Sequence, residues 1–473
     1  MPPVDIPLAA KWFTNVASTS LTRASEAMEN AYISENGGLS RLPGLEAFAT
    51  LPASTNARVY LWDWRDSLIA ATSRGRLFTV TRNGTVTDVT GVPFSGGRRP
   101  TFAETDDELL VAAGGPILKF SGISTAILSA DAPDTTHVGY VDGYTMAIEP
   151  RSGRFYHSQP GQSATWEALD VFTAEGKPDD LNALFVSDYR ELLLTGEKSI
   201  EQFERLPNGD RPFFRRWASG ESVHAPYTIV GVDQGVWLVN SRQEFIRLSG
   251  QTGQPRSDDI QRDLSKIDDW TDAWAAEFPV GGQKFIVLQI PNATNAYETK
   301  GVTLVHDIRT NRWSSLYGWS RATGLPERWP GWSVRRRWGR TFVGGEGVIY
   351  EAKDTVHANA SLPQRFLWRS GHLEARTIAG SYALRIDDVR LRLRRGETAG
   401  NDFRPKLSLR VRRNNGPWSK WVEKTAGAAG ESDMHVRFGG FGKAEAMQFE
   451  IAMSDAGPCD IAAMLADVTP LPR

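Results

Sequence analysis

The chain is predicted to be all-β: a β-propeller of about seven blades followed by a small antiparallel β-sandwich. Three observations lead there. Turn signals recur through the middle of the chain at a period near 45 residues, each followed by an aromatic strand. Turn-forming residues are frequent, with 44 Gly and 26 Pro, and 16 Trp exceed the 11 Tyr. After about residue 354 the pattern changes to the apolar–basic alternation of half-buried strands.

The turn signals are Asp66, Asp107, Asp142-Gly143, Asp188, Asp233, Gly281-Gly282 and Gly339, with successive spacings of 41, 35, 46, 45, 49 and 57 residues. In six units the aromatic strand begins or ends 11 to 15 residues later, as in Arg76-Leu-Phe-Thr-Val80, Ile117-Leu-Lys-Phe120 and Glu244-Phe-Ile-Arg-Leu248. The sixth unit is longer, and residues 291–301 read as an inserted loop. Leu68-Ile-Ala-Ala71 and Glu108-Leu-Leu-Val-Ala112 are short apolar runs that suit fully buried strands. Asn83-Gly84, between two alternating runs, is a strong hairpin signal. Seven units are counted. Six or eight blades stay open, because the first and last units can share strands to close a ring.

One helix is expected between units. Ser257-Asp-Asp259 can cap it, and Ile260, Leu264 and Ile267 share a face. The domain boundaries expected are an extended arm over 1–37, the propeller over 38–354 and the sandwich over 355–473. In the sandwich, strands are expected at 383–395, 406–413, 418–422, 447–451 and 461–468.

Composition excludes several function classes. The chain has 473 residues, 40% hydrophobic and 23% charged, which is ordinary for a globular protein. Its 54 Lys and Arg balance 56 Asp and Glu, against a dedicated nucleic-acid binder, although passive contact with DNA stays open. A single Cys, Cys459, leaves no intrachain disulfide framework and no multi-thiolate zinc site. No signal peptide or membrane-length apolar run is read, so a soluble protein without membrane contact is expected.

Four features of the sequence bear on chemistry. The seven His are scattered, with no metal or triad spacing, and read as surface or strand residues. Gly439-Gly-Phe-Gly-Lys443 lacks the phosphate-loop spacing, leads into a strand and reads as a hairpin. The pairs Asp258-Asp259 and Asp268-Asp269 are explained by the helix and its exit. The repeated S-x-D-x-G-x-T-W boxes of a sialidase-like propeller are missing; Gln162-Ser-Ala-Thr-Trp166 is the nearest segment and lacks the aspartate. No catalytic residue, cofactor or metal is therefore expected. Candidate interface residues are Trp319, Trp329, Trp332, Arg335, Arg336 and Arg337, because aromatics and arginines on irregular segments often anchor interfaces. Core filling between blades is the alternative for the tryptophans. The arginines here and at 390, 392, 394, 395, 410, 412 and 413 are either a surface for DNA phosphates or an acidic partner, or the solvated face of strands. The balanced charge favours a solvated face or a protein partner.

A resemblance emerges from the order of these segments. Glu29-Asn-Ala-Tyr-Ile-Ser-Glu35 with Gly38-Leu-Ser-Arg-Leu-Pro-Gly-Leu45 resembles the opening segment of the packaged-DNA stabilisation proteins, or tail nozzle (tail hub) proteins, of short-tailed bacteriophages. Arg154-Phe-Tyr-His-Ser158 through Trp166 to 174–179, then Tyr189 to Gly196 with Ser199-Ile-Glu-Gln-Phe203, resemble successive blades of that family. Ile260 to Trp274, Phe285 to Pro291, Val305-His-Asp307 and Asn311-Arg-Trp313 follow in order. The resemblance implies a structural virion protein of the tail, assembled in the host cytoplasm as a hexameric ring. Such a ring sits below the portal–adaptor complex as a head–tail connector, closes the DNA channel and anchors spikes, fibres or a needle. The arm is expected to reach a neighbour or the adaptor. A carbohydrate-binding or glycan-cleaving propeller for host-surface recognition is the competing reading.

Overall fold

The computed structural model describes residues 3–6, 8, 27–52, 57–174, 179–206, 212–376, 380–394, 404–427 and 434–472. The chain divides into two compact units, one of Ala47–Asn311 and Pro330–Ala352, the other of Met1–Glu46, Arg312–Trp329 and Lys353–Arg473.

The first unit is a seven-sheet β-propeller. Five antiparallel four-stranded sheets follow one another, opening with Val59–Trp64, Thr101–Glu104, Val138–Val141, Leu181–Val186 and Val230–Val232. The sixth contributes Trp274–Val280, Gln283–Thr294 and Lys300–Asp307 to this unit. The seventh is Ser333–Arg337, Arg340–Gly344 and Val348–Lys353, completed by residues 47–50 of the strand Gly44–Thr50.

The sequence explains this regularity. All seven turn signals fall between the first and second strands of their sheets. Asp233 and Gln234 (φ 51° and 57°) and Gly281 and Gly282 (φ 52° and 84°) take the left-handed conformations of tight hairpins, whose twist matches the flanking strands. Second strands such as Leu109–Ala112 and Tyr144–Ile148 are buried throughout, because a sheet lies on either side. Third strands carry the aromatics, and these fill the wedge between neighbouring sheets. Phe120 lies in the core shared by sheets one and two, and Phe155 and Phe203 in that shared by sheets three and four.

Closure joins the seventh sheet to the first. The Ser333 hydroxyl donates to the Val59 carbonyl (2.9 Å) and accepts from the Leu61 N–H (3.0 Å). Gly344 faces the same strand so tightly that a Cβ there would fall 2.2 Å from the Val59 oxygen. Around this junction Ala49, Leu51, Leu61, Phe78, Phe342 and Ile349 form one apolar core.

The second unit is a two-sheet sandwich. One sheet runs Ala31–Ile33, Leu39–Arg41, Asp460–Leu471, Ala383–Arg394, Met434–Ala444, with Val4–Asp5 paired to Asp460–Leu471. The other includes Arg312–Ser315, Ala27–Glu29, Phe366–Arg369, Ala446–Met453, Lys406–Arg413 and Val422–Thr425. Leu391, Val436, Phe449, Ile451, Ile461 and Met464 pack between them.

Several expectations need correction. Within the 1–37 arm, Val4–Asp5, Ala27–Glu29 and Ala31–Ile33 are strands of this sandwich, because Ile6, Ala31 and Ile33 are apolar residues to bury there. Residues 9–26 lie outside the described residues, as do 175–178 and Arg395. Residues 312–329 belong to the sandwich unit and not to the propeller. The expected loop at 291–301 is shorter: Gln283–Thr294 continues through it with a register shift after Ile290. The helix is a single turn, Gln261–Leu264, without a side-chain cap. Its expected cap, Ser257, instead accepts the Phe245 N–H (3.0 Å) and donates to Gln261 Oε1 (2.8 Å). Gly439-Gly-Phe-Gly-Lys443 lies inside the strand Met434–Ala444, where positive φ at Gly440 and Gly442 accompanies a register shift against Ala383–Arg394. The strand expected at 418–422 forms at Val422–Thr425.

The closure generates a prediction. Gly344→Ala inserts a methyl where none fits and should destabilise by roughly 1–3 kcal/mol. Ser333→Ala leaves the buried Leu61 N–H unpaired, at a cost of about 1–3 kcal/mol. Urea unfolding followed by tryptophan fluorescence measures both. A change below about 0.5 kcal/mol in either, the scale of a neutral surface substitution, contradicts this closure.

Candidate functional site

Six of the seven sheets send a residue toward the propeller axis from the segment just before, or at the start of, the innermost strand. These are Arg58, Arg99, His137, Tyr227, Asp272 with Trp274, and Trp332. Contacts between sheets that are not ring neighbours have to cross the axis, and several do. The Arg99 guanidinium, on the way into the second sheet, lies 4.9 Å from the Trp274 ring of the sixth and 5.0 Å from Tyr60 of the first. Its Nη1 donates to the Trp332 carbonyl at 2.7 Å. Arg58 lies 4.1 Å over the Trp332 ring and pairs with Asp272 at 2.5 Å. His137, before the third sheet, stacks on Tyr227, before the fifth, at 5.2 Å.

These contacts occupy the axis at that end. Cations over aromatic faces contribute about 0.5–2 kcal/mol each, more as water is excluded. Burial lowers the Arg99 guanidinium pKa and raises the Tyr60 and Tyr227 hydroxyls. It pushes His137 down to about 4, and the His137 Nε2 is buried with no hydrogen-bond partner among the described residues. Sequence reading missed this cluster. A signal existed, since Arg58, Arg99, His137, Tyr227, Asp272 and Trp332 each precede a turn signal by five to nine residues. The cluster braces the ring. Among the described residues, no group of three or more His, Cys, Asp or Glu could hold a metal ion.

The six candidate interface residues divide between the units. Trp329 is 0% and Trp332 5% exposed, so neither offers a free ring. Trp319 is half-buried and pairs with Pro326 in the hairpin of Tyr317–Trp319 and Pro326–Arg328. In the propeller, Arg335 pairs with Asp63 at 2.5 Å and lies 3.8 Å over Trp62, while Arg337 reaches Asp63 and Asp66. Both tie the seventh sheet to the first. Arg336, between them, is exposed.

Two arginines of the predicted sandwich row, Arg390 and Arg410, are neutralised within their own unit, as are Arg369 and Arg437. Arg369 and Arg410 clamp Glu450, which is 0% exposed. Arg390 and Arg437 clamp the buried Asp388, and Arg390 also pairs with Asp467. A buried carboxylate needs such partners, since an unpaired one is costly. These side chains are therefore not a free phosphate-binding row.

Comparison with known proteins agrees with a propeller fold. A family model described as Bacteriophage P22 Gp10, beta-propeller (Phage_stabilise) matches residues 18–356. The chain belongs to this packaged-DNA stabilisation family. It is accordingly a phage structural protein of the virion. No curated protein has significant sequence similarity to it. Similar solved structures include YCF48 from Cyanidioschyzon merolae, at 13% identity and TM-score 0.39, over 65% of this chain and 99% of that one. BamB from Moraxella catarrhalis gives 10% and 0.36, over 65% and 97%. The extracellular domain of BT4673 from B. thetaiotaomicron gives 10% and 0.43, over 91% and 62%. No helix among the described residues is long and apolar enough to cross a membrane.

Buried histidines give the propeller a pH dependence. Burial lowers both His137 and His306 to about 4 in the folded chain, below the ordinary 6.5. A depressed histidine binds its proton more readily in the unfolded chain. Stability is therefore complete above about pH 6.5 and falls as pH drops toward 4, by up to about 1.4 kcal/mol per pH unit for each group. Urea unfolding at pH 7.5, 5.5 and 4.5 measures this. His137→Asn should flatten the slope relative to the parent chain; parallel slopes contradict the assignment.

Proposed function

We propose that the chain is a tail nozzle or hub subunit. Six copies form a ring below the portal–adaptor complex, close the DNA channel after packaging, and anchor spikes, fibres or a needle. The observation that carries this reading is the family match over residues 18–356. The closed propeller supports it. Packaged DNA presses outward, and a cyclic ring distributes that load through one repeated interface. A propeller subunit suits the role because closure leaves few free sheet edges for unwanted strand pairing.

The DNA route in this reading lies between subunits, since axial side chains cross the propeller's own centre. Contact with DNA is passive, in keeping with the formal net charge of −2. Among the candidate interface residues, the exposed Arg336 and half-buried Trp319 are the ones available for subunit contacts. The test is genetic. Particles assembled without the chain should package DNA and then lose it, scored by genome content before and after purification. Particles that keep their genome and fail only in adsorption overturn the reading. Arg336→Glu should lower incorporation into particles several-fold without altering the thermal unfolding of the free chain; unchanged incorporation removes Arg336 from the interface.

A further inference from the structure

A cleft of about 430 Å³ opens between the fourth and fifth sheets of the propeller, and neither ring closure nor the axial cluster uses it. Its volume lies in the range of small-molecule sites, about 300–1,000 Å³. Gln202 and Trp217 are direct cross-strand partners on the fourth sheet, and both line it. Tyr189, 61% exposed, also lines it. Asp188, Glu191, Gln234, Arg247 and Gln254 are among its polar lining residues.

The lining is held in place. The Ser187 hydroxyl accepts the N–H groups of Tyr189 (3.3 Å) and Glu191 (3.2 Å) and donates to Glu191 Oε2 (3.2 Å). Gln202 Nε2 donates to Glu191 Oε1 at 2.8 Å, so both carboxylate oxygens are oriented. Across the cleft, Arg247 lies over Gly235, where a Cβ would fall 2.5 Å from Nε. Its Nη2 donates to the Asp233 carbonyl at 3.3 Å. The absent side chain at 235 gives the guanidinium its place.

We propose that this cleft binds a neutral pyranose unit of a polysaccharide. A pyranose has an apolar C–H face and a rim of hydroxyls, each both donor and acceptor. The cleft offers aromatic faces for the first, at Trp217 and Tyr189. For the second it offers planar polar groups, the Glu191 carboxylate, the Arg247 guanidinium and the exposed Gln254 amide, with the buried Gln202 holding Glu191 in place. Asp188 and Glu191 outnumber Arg247 in the lining, which disfavours phosphates and acidic sugars. The site is a binding site, with no bond-breaking step assigned. It is independent of the nozzle reading, since a virion protein can hold a surface glycan whatever its place in the particle.

The test uses the full chain with methyl α-D-glucopyranoside, methyl α-D-mannopyranoside, methyl β-D-galactopyranoside and the methyl glycoside of N-acetylglucosamine. Saturation-transfer NMR should show transfer to the ring C–H protons of at least one of them, with a millimolar dissociation constant. Tyr189→Ala and Gln254→Ala change exposed groups and should each weaken binding at least threefold. Gly235→Ala displaces Arg247 without straining the backbone and should weaken it at least tenfold. Parent-like thermal unfolding of these variants shows that the effect is local. No transfer to any of the four glycosides, or transfer that all three variants leave unchanged, overturns the proposal. Genome retention in particles carrying these variants should stay at the parent level, which separates failure here from failure of the nozzle reading.

Discussion

Everything in the propeller depends on one constraint: seven twisted sheets have to close on themselves, or two large apolar sheet faces remain in water. The chain closes with a strand from before the first sheet, residues 47–50 of Gly44–Thr50, as the outer strand of the seventh. Innermost strands then meet through Ser333, whose hydroxyl serves both the carbonyl of Val59 and the N–H of Leu61. A closed ring of this kind has no first and last sheet to fray, so local opening must break contacts on both sides of a blade.

Closure also explains where the charged and aromatic residues went. Arg335 and Arg337 are engaged by Asp63 and Asp66 across the junction. Arg58 and Arg99 are engaged by aromatic rings at the axis. In the sandwich, Arg369, Arg390, Arg410 and Arg437 are engaged by Glu450 and Asp388. In a sequence with many arginines and no net positive charge, these eight each answer a carboxylate or a ring nearby. That accords with the passive DNA contact of the proposed function.

Local physics made the blades legible. Turn residues with positive φ, such as Asp142-Gly143 and Asp233-Gln234, and wedge aromatics, such as Phe120 and Phe245, carry their roles in their own chemistry. The seven hairpins and third strands were therefore placed from sequence. What sequence reading missed depends on distant partners. The strands Ala27–Glu29 and Ala31–Ile33 are three residues each, too short to show alternation, and exist because Phe366–Arg369 and Leu39–Arg41 pair with them. The helix failed because Ser257 has a better partner in the Phe245 N–H than in a helix end. Trp329 and Trp332 looked like interface anchors because proline and glycine surround them; their burial is a tertiary fact. The axial cluster was hidden for the same reason, since its members come together only when the ring closes.

In the proposed function this closed propeller is the repeated unit of a ring at the DNA exit. An electron cryomicroscopy reconstruction of the mature particle around its portal vertex tests it most directly. Six copies of a seven-sheet density are expected directly below the portal and adaptor, encircling the DNA channel, with each propeller's own axis filled by side chains. Seven-sheet density found only at the periphery, touching neither the adaptor nor the channel, or a ring of any other symmetry, contradicts it.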